Sequence, residues 1–175
     1  MKSIVIYKSR TGFTKRYAEW IAEKLKSDLK RYEDCSKDDI NNYDLVIYGG
    51  SYFAGKIDGL QKIKDIIRDN GKSKLIIFAT GATPMEAKEQ IEKAWAENLS
   101  EEELRKIPHY YMPGGLNYEK MSFKSRIMMK VFTRMMRNKK DKTPYEEECT
   151  EVITSSYDIS SKDYIKPLIQ FVQEQ

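Results

Sequence analysis

The chain has 175 residues, 40% of them apolar and 11% aromatic, with 31 Lys/Arg against 27 Asp/Glu and a formal net charge of +4. That balance suits one folded domain, residues 1–175, with a real hydrophobic core, and argues against a disordered chain. No apolar run nears the roughly 20 residues that span a bilayer, and the four-residue run after Lys2 is too short for a signal-peptide core, so a cytoplasmic protein is expected.

Ser3–Tyr7 reads as a first buried strand, with Ile4, Val5, Ile6 and Tyr7 continuous. A helix from about Thr14 to Ser27 follows, with Tyr17, Ala18, Ile21, Ala22 and Leu25 on one face. A weaker strand is expected near Leu29–Tyr32. Asp44–Tyr48 is a second buried strand, ended by Gly49-Gly50. Leu60, Ile63, Ile66 and Ile67 space as a helix that stops at Asn70-Gly71. Lys74–Ala79 is a third buried strand, ended by Thr80-Gly81, and Pro84 marks a helix start continued by Ala87, Ile91, Ala94 and Trp95. Ser100 and Glu103 match a capping box, and Ile107–Met112 reads as a strand. Phe123 to Met136 has helical periodicity, and Ser161–Gln173 is a final helix in which Pro167 implies a kink or a later start. Strands that are continuous apolar runs and alternate with helices predict a parallel sheet covered on both faces.

In such a sheet the loops after each strand meet at the carboxyl edge, where ligands bind. Three loops there are rich in Gly and hydroxyls. They are Ser9–Thr14, the stretch from Gly49 through Gly50, Ser51, Tyr52, Phe53 and Ala54 to Gly55, and Thr80-Gly81-Ala82-Thr83. The first joins a strand to a helix start, where unpaired N–H groups and the positive end of the helix dipole suit a phosphate. It lacks the lysine of GxxxxGK[ST], which argues against ATP or GTP with magnesium, and it is not GxGxxG, so the dinucleotide fingerprint is missing. A monophosphate held by backbone amides and the hydroxyls of Ser9, Thr11 and Thr14 fits best. The alternative is that these hydroxyls are ordinary helix caps. Tyr52 and Phe53 either stack on a ligand or fill the core.

Ser9-Arg10-Thr11-Gly12-Phe13-Thr14 satisfies the phosphate-loop pattern [ST]-x-T-G-x-T of the flavodoxin family, directly after the first strand. The chain resembles that family from Met1 to about Pro113 and again at its last helix. The resemblance implies a flavodoxin-like, doubly wound, three-layer α/β fold with a five-stranded parallel sheet of order 2-1-3-4-5, and it implies bound FMN. By the family pattern Ser9, Arg10, Thr11, Gly12, Phe13 and Thr14 hold the phosphate. The flavin ring then lies between the Ser51–Gly55 and Thr80–Thr83 loops, with the Gly50-Ser51 peptide near its N5. The flavin would carry the redox chemistry and the protein would orient it. Two features depart from electron-carrier flavodoxins: the chain is not strongly acidic, and its third loop has no aromatic residue.

Residues 120–142 hold nine Lys/Arg against one acid, Asp141, which leaves the rest of the chain net acidic. Phe123, Ile127, Met128, Val131, Phe132, Met135 and Met136 form an apolar stripe there, and Lys124, Arg126, Lys130, Arg134 and Arg137 lie largely off it. This basic helical insertion, about 116–150, reads as a membrane-surface or partner-binding element, or else as a helix packed on the fold with a solvated basic face. Its layout, from Gly114-Gly115-Leu116-Asn117-Tyr118 to Thr150–Ile153, is similar to menaquinone-dependent protoporphyrinogen oxidase, a long-chain relative of flavodoxins. That implies a quinone acceptor and contact of Arg126, Lys130, Arg134 and Arg137 with substrate or with the inner membrane face. The expected partners are a redox protein, a quinone or a small-molecule acceptor. Nucleic acid has no supporting motif, and the sequence does not fix an oligomeric state. A flavodoxin-fold interaction domain without cofactor is a third reading. Cys35 and Cys149 lie far apart without nearby His, so no metal site or disulfide is expected. His109, the one histidine, sits in a predicted strand away from the loops and is expected to be structural or on the surface.

Overall fold

In a computed structural model, residues 1–175 are described apart from the side chains of 70, 144, 145, 146 and 148. The elements in chain order are β1 (Ser3–Lys8), α1 (Phe13–Leu25), β2 (Asp28–Arg31), α2 (Lys37–Asn41), β3 (Leu45–Phe53), β4 (Lys56–Ile57), α3 (Leu60–Asn70) and β5 (Lys74–Gly81). They continue as α4 (Lys88–Ala96), α5 (Glu101–Lys106), β6 (His109–Pro113), β7 (Gly115–Leu116), α6 (Phe123–Asn138), α7 (Pro144–Val152), β8 (Tyr157–Asp158) and α8 (Lys166–Gln173). Five strands pair in parallel in the order β2-β1-β3-β5-β6, while β4 folds back antiparallel on the end of β3. With that two-residue arm set aside, this is the expected 2-1-3-4-5 topology.

Alternate residues of each central strand face opposite helix layers. Ile4, Ile6, Val46, Tyr48 and Ile77 pack with Leu60 and Ile63 of α3 and Trp95 of α4. Val5, Ile47, Ile76 and Phe78 pack with Tyr17 and Ile21 of α1 and Leu168 of α8. The strands read as unbroken apolar runs because both faces are dry. Each fully buried Ile, Leu or Val contributes roughly 1.5–3 kcal/mol relative to exposure.

Two strands run further than the sequence predicts. Gly49 and Gly50 do not end β3 but stay in the ladder, with Gly49 opposite Phe78 and Gly50 opposite Ala79. A Cβ on Gly49 would fall 2.0 Å from Phe78 Cζ, and one on Gly50 would fall 2.5 Å from Ile57 Cγ2. These glycines answer close packing, not a turn. β5 likewise continues through Thr80 and Gly81. The helix expected at Pro84 begins four residues later, at Lys88, because Pro84–Ala87 forms a turn closed by the Ala87 N–H on the Pro84 carbonyl at 3.2 Å. The capping box at Ser100 and Glu103 is present, and a second one at Ser36 and Asp39 starts α2. Pro167 takes the later-start option: Lys162–Ile165 is a 3-10 turn capped by Ser161, and Pro167 sits in the first turn of α8, where its missing N–H costs nothing. The insertion after β6 comprises β7, α6, α7 and β8. β7 and β8 close it as an antiparallel pair, Gly115 opposite Asp158 and Leu116 opposite Tyr157.

Candidate functional site

The carboxyl ends of β1, β3 and β5 converge on the Thr14 hydroxyl. Thr14 is fully buried in the first turn of α1, and its Oγ1 lies 2.7 Å from Thr80 Oγ1 and 2.9 Å from Ser51 Oγ. One hydroxyl thus ties all three loops together. It points between loops rather than outward, so what Thr14 offers a ligand is its backbone N–H.

Gly12 is the N-cap of α1, with φ +102, a conformation that an L side chain takes only with strain. It has no side chain to cap the helix, and α1 has no side-chain cap. The first-turn amides of Phe13, Thr14 and Lys15 therefore lack the acceptor that Ser, Thr or Asp commonly gives. Ser9 shapes the loop instead: its Oγ accepts the Gly12 N–H at 3.1 Å. Phe13 is buried, and a Cβ on Gly114 would fall 2.8 Å from its Cβ and Cγ.

Arg10 spans the first and second loops. Its guanidinium donates twice to the Asp58 carboxylate, with Nη2 to Oδ1 at 2.8 Å, and its Cζ lies 4.1 Å from the Phe53 ring centroid. The hydrogen bond to Asp58 raises the Arg10 pKa further above its ordinary value. The Arg10 N–H also donates to Ser51 Oγ at 3.3 Å. The second loop is a two-residue turn at Ala54 (φ +49) and Gly55 (φ +82) that joins β3 to β4. Positive φ at both central residues is the hairpin geometry that follows strand twist. Asn98, which the sequence did not single out, fixes this turn by accepting the Ile57 N–H at 2.8 Å and donating to the Gly55 carbonyl at 3.1 Å. The Tyr52 hydroxyl donates to Glu97 at 3.0 Å, and burial, with this bond, pushes its pKa up to about 12.

The third loop lacks an aromatic of its own, but two tyrosines from other elements brace it. Tyr111 Oη on β6 accepts the Thr83 N–H at 3.1 Å, and Tyr157 on β8 donates to the Ala82 carbonyl at 2.8 Å. A Cβ on Gly81 would fall 2.7 Å from the Tyr111 oxygen, so this close approach needs glycine. Beside the start of α1 lies a cleft of about 460 Å³, lined among others by Thr11, Gly12, Lys15, Leu116, Lys120 and Tyr157. One side belongs to the Ser9–Thr14 loop and the start of α1, the other to the insertion.

A family profile described as a flavodoxin domain matches residues 4–143, a span that takes in all three loops. The chain belongs to the flavodoxin domain family. The uncharacterized protein MJ0298 of Methanocaldococcus jannaschii is 36% identical over 86 residues, which cover 48% of this chain and 57% of that protein. The chain thus spans little more than half the length of the curated relative it matches. Among solved structures, a flavodoxin from the domain Archaea is 17% identical, covering 87% of this chain and 94% of that one, with a TM-score of 0.41. A flavoprotein of Lactobacillus acidophilus NCFM, solved in complex with FMN, is 19% identical, covering 64% and 91%, with a TM-score of 0.43. A WrbA-like flavodoxin of Agrobacterium tumefaciens is 17% identical, covering 87% and 97%, with a TM-score of 0.43.

Against the sequence-based list, this flavodoxin domain brings together Ser9 to Thr14, Ser51, Thr80 and the loops that carry Tyr52 to Gly55 and Gly81 to Thr83. Gly50, Ser51, Thr80 and Gly81 lie at the ends of the ladder, so the Gly50-Ser51 peptide is part of the sheet and not of a free loop. Arg126, Lys130, Arg134 and Arg137 sit exposed on α6 and do not line the cleft; Lys120 does. Tyr111, Tyr157, Asn98 and Lys120 are the additions. Only Lys120 had a sequence signal, as part of the basic run. His109 packs against Trp95 with ring centroids 4.8 Å apart, and its Nδ1 lies 2.7 Å from the Ile107 carbonyl, in keeping with a structural role. Among the described residues no His/Cys/Asp/Glu group could hold a metal ion.

Proposed function

We propose that the carboxyl-edge site binds FMN and that the chain works as a flavodoxin-type redox protein. The observation that carries this reading is the uncapped start of α1 under Gly12, set in a loop that Thr14 locks to the other two. A side chain at Gly12 would close that cradle; a Cβ there meets only Lys120 Nζ, at 3.7 Å. The residues fit a flavin mononucleotide. The first-turn amides and the Thr11 and Ser9 hydroxyls bind the phosphate, with Lys120 adding a positive charge beside it. Phe53, beside Arg10, and the peptides of Gly81 to Thr83 flank the ring, while Tyr52 packs against the core that holds Tyr48 and Trp95. FMN supplies electron transfer in one- or two-electron steps; the side chains named here supply none of it.

The chain's own work is positioning. Arg10 holds the second loop against the first, Asn98 fixes its turn, and Tyr111 with Tyr157 hold the third loop in place. This rigidity orients a flat ring and limits the water that reaches it. Flavin absorbance of the purified protein, with one FMN per chain, tests the reading; a colourless protein that does not take up added FMN overturns it.

A second reading, an oxidoreductase of the protoporphyrinogen-oxidising kind with a quinone acceptor, draws support from the insertion. Its Tyr157 reaches the third loop, and its α6 presents an exposed apolar and basic surface. Anaerobic turnover of a porphyrinogen with a quinone supports this reading. Reduction of the flavin only by other donors favours a plain electron carrier.

A further inference from the structure

We propose that α6 is a docking element for an anionic membrane surface, lying in the plane of the bilayer interface. The helix has sixteen residues, Phe123 to Asn138, or about 24 Å at 1.5 Å rise per residue. Ser125 is buried, and Met129, Thr133 and Met136 are half-buried, so this side of the helix faces the protein. The rest of the apolar stripe faces away. Phe123 is 80% exposed and Met135 67%, and Ile127, Met128, Val131 and Phe132 are exposed between them. Six large apolar side chains on one helix face are an unusual concentration for a protein surface.

The charges choose the occupant. At 100° per residue, Arg126, Lys130 and Arg137 fall in one band along the edge of the exposed apolar face, and Arg134 and Lys124 lie within that face, where their long stems let the charge reach the headgroups. Phe123 to Asn138 contains no acidic residue, and Lys139, Lys140 and Lys142 follow with one acid, Asp141, among them. An anionic bilayer offers both complements at once: headgroup charge for the basic band and acyl depth for the stripe. The methionines Met128 and Met135 adapt to such a disordered apolar phase. No helix among the described residues is long and apolar enough to cross a membrane, so the contact is peripheral. Docked this way, the insertion that lines the cleft through Lys120 and braces the third loop through Tyr157 lies against the lipid. The inference does not depend on the cofactor assignment.

The test is co-sedimentation of the full chain with vesicles, one set of phosphatidylglycerol mixed with phosphatidylcholine and one of phosphatidylcholine alone. Binding to the anionic set, weakened by salt and much stronger than to the neutral set, is expected. The triple change Phe123→Ser, Val131→Ser and Met135→Ser should lower the partition coefficient roughly tenfold or more. The change of Arg126, Lys130, Arg134 and Arg137 to Gln should do the same by removing the headgroup attraction. All these side chains are exposed, and thermal melts matching the unaltered chain confirm that the variants are comparable. Failure of the unaltered chain to bind anionic vesicles overturns the proposal. So does binding that neither set of changes weakens, or a dimer through α6 that persists with excess vesicles.

Discussion

Thr14 and Thr80, 66 residues apart in the chain, meet through their hydroxyl oxygens at 2.7 Å in the buried centre of the carboxyl edge. Ser51 joins them at 2.9 Å from Thr14, so the loops of the proposed phosphate and ring sites form one mechanical unit. A threonine that the sequence offers as a phosphate ligand is in the structure the fastener that gives the site its shape.

Replacing Thr14 by Val keeps the volume but removes the shared hydroxyl, leaving Ser51 and Thr80 short of a partner. A buried hydroxyl left unpaired costs about 1–3 kcal/mol. Thr14→Val should lose that much stability in denaturant melts and weaken FMN by roughly tenfold through loosened loops, while Thr14→Ser keeps most of both. Thr80→Val should act through the same bond, so the double variant should cost clearly less than the sum of the singles. Strict additivity would show that the two threonines do not act together.

Gly12 and Gly71 both have positive φ, at +102 and +60, but only Gly12 opens onto the proposed phosphate site. A Cβ in the left-handed region costs about 1–2 kcal/mol. Gly12→Ala should therefore lower stability and sharply weaken FMN. Gly71→Ala, at the end of α3 with nothing within 4 Å of its added Cβ, should lower stability to a similar degree and leave FMN affinity unchanged. Equal FMN affinities in the two variants would remove Gly12 from the phosphate site.

Tyr157 contributes one hydrogen bond from the insertion to the third loop. Tyr157→Phe should cost roughly 0.5–1.5 kcal/mol, the net worth of a typical hydrogen bond. Amide exchange should speed up at Ala82 and Thr83 and stay unchanged at the first loop. Unaltered exchange at the third loop would mean that the brace is dispensable.

Stability should fall as pH rises through 10. Burial pushes Tyr17 up to about 12 from an ordinary 10.0, and the Tyr17 hydroxyl donates to the Pro113 carbonyl at 2.6 Å. Tyr157 is pushed up to about 12, again mainly by burial, and burial raises Tyr48 and Tyr111 beyond it. Below pH 10 these phenols are neutral in both folded and unfolded chains and the native state keeps its full stability. Between pH 10 and about 12 only the unfolded chain releases the protons, so the native state is progressively undercut. Chemical denaturation across this window, with tyrosinate absorbance followed in parallel, checks the prediction. A flat profile would mean that these phenols ionise in place.

The fold was legible because burial on both faces writes each central strand as an unbroken apolar run and each helix as a periodic stripe. The Ser9–Thr14 loop was legible because its pattern is local: strand end, glycine and helix start are consecutive. What stayed hidden depends on distant packing. Gly49-Gly50 looks like a strand end, and only the Phe78 ring across the ladder shows that the strand continues. The braces of the third loop come from Tyr111 and Tyr157, 28 and 75 residues from their partners, and no local pattern announces them. The stripe on α6 was plain in the sequence, but periodicity says only that a face is apolar; the structure shows that all of it but Met136 points outward.

The most direct test of the central claim is a titration of the apo chain with FMN, following quenching of flavin fluorescence beside the same titration with riboflavin. Saturation at one FMN per chain and much weaker binding of riboflavin are expected if the Ser9–Thr14 loop over the start of α1 holds the phosphate. Absence of FMN binding, or equal affinity for FMN and riboflavin, would contradict it.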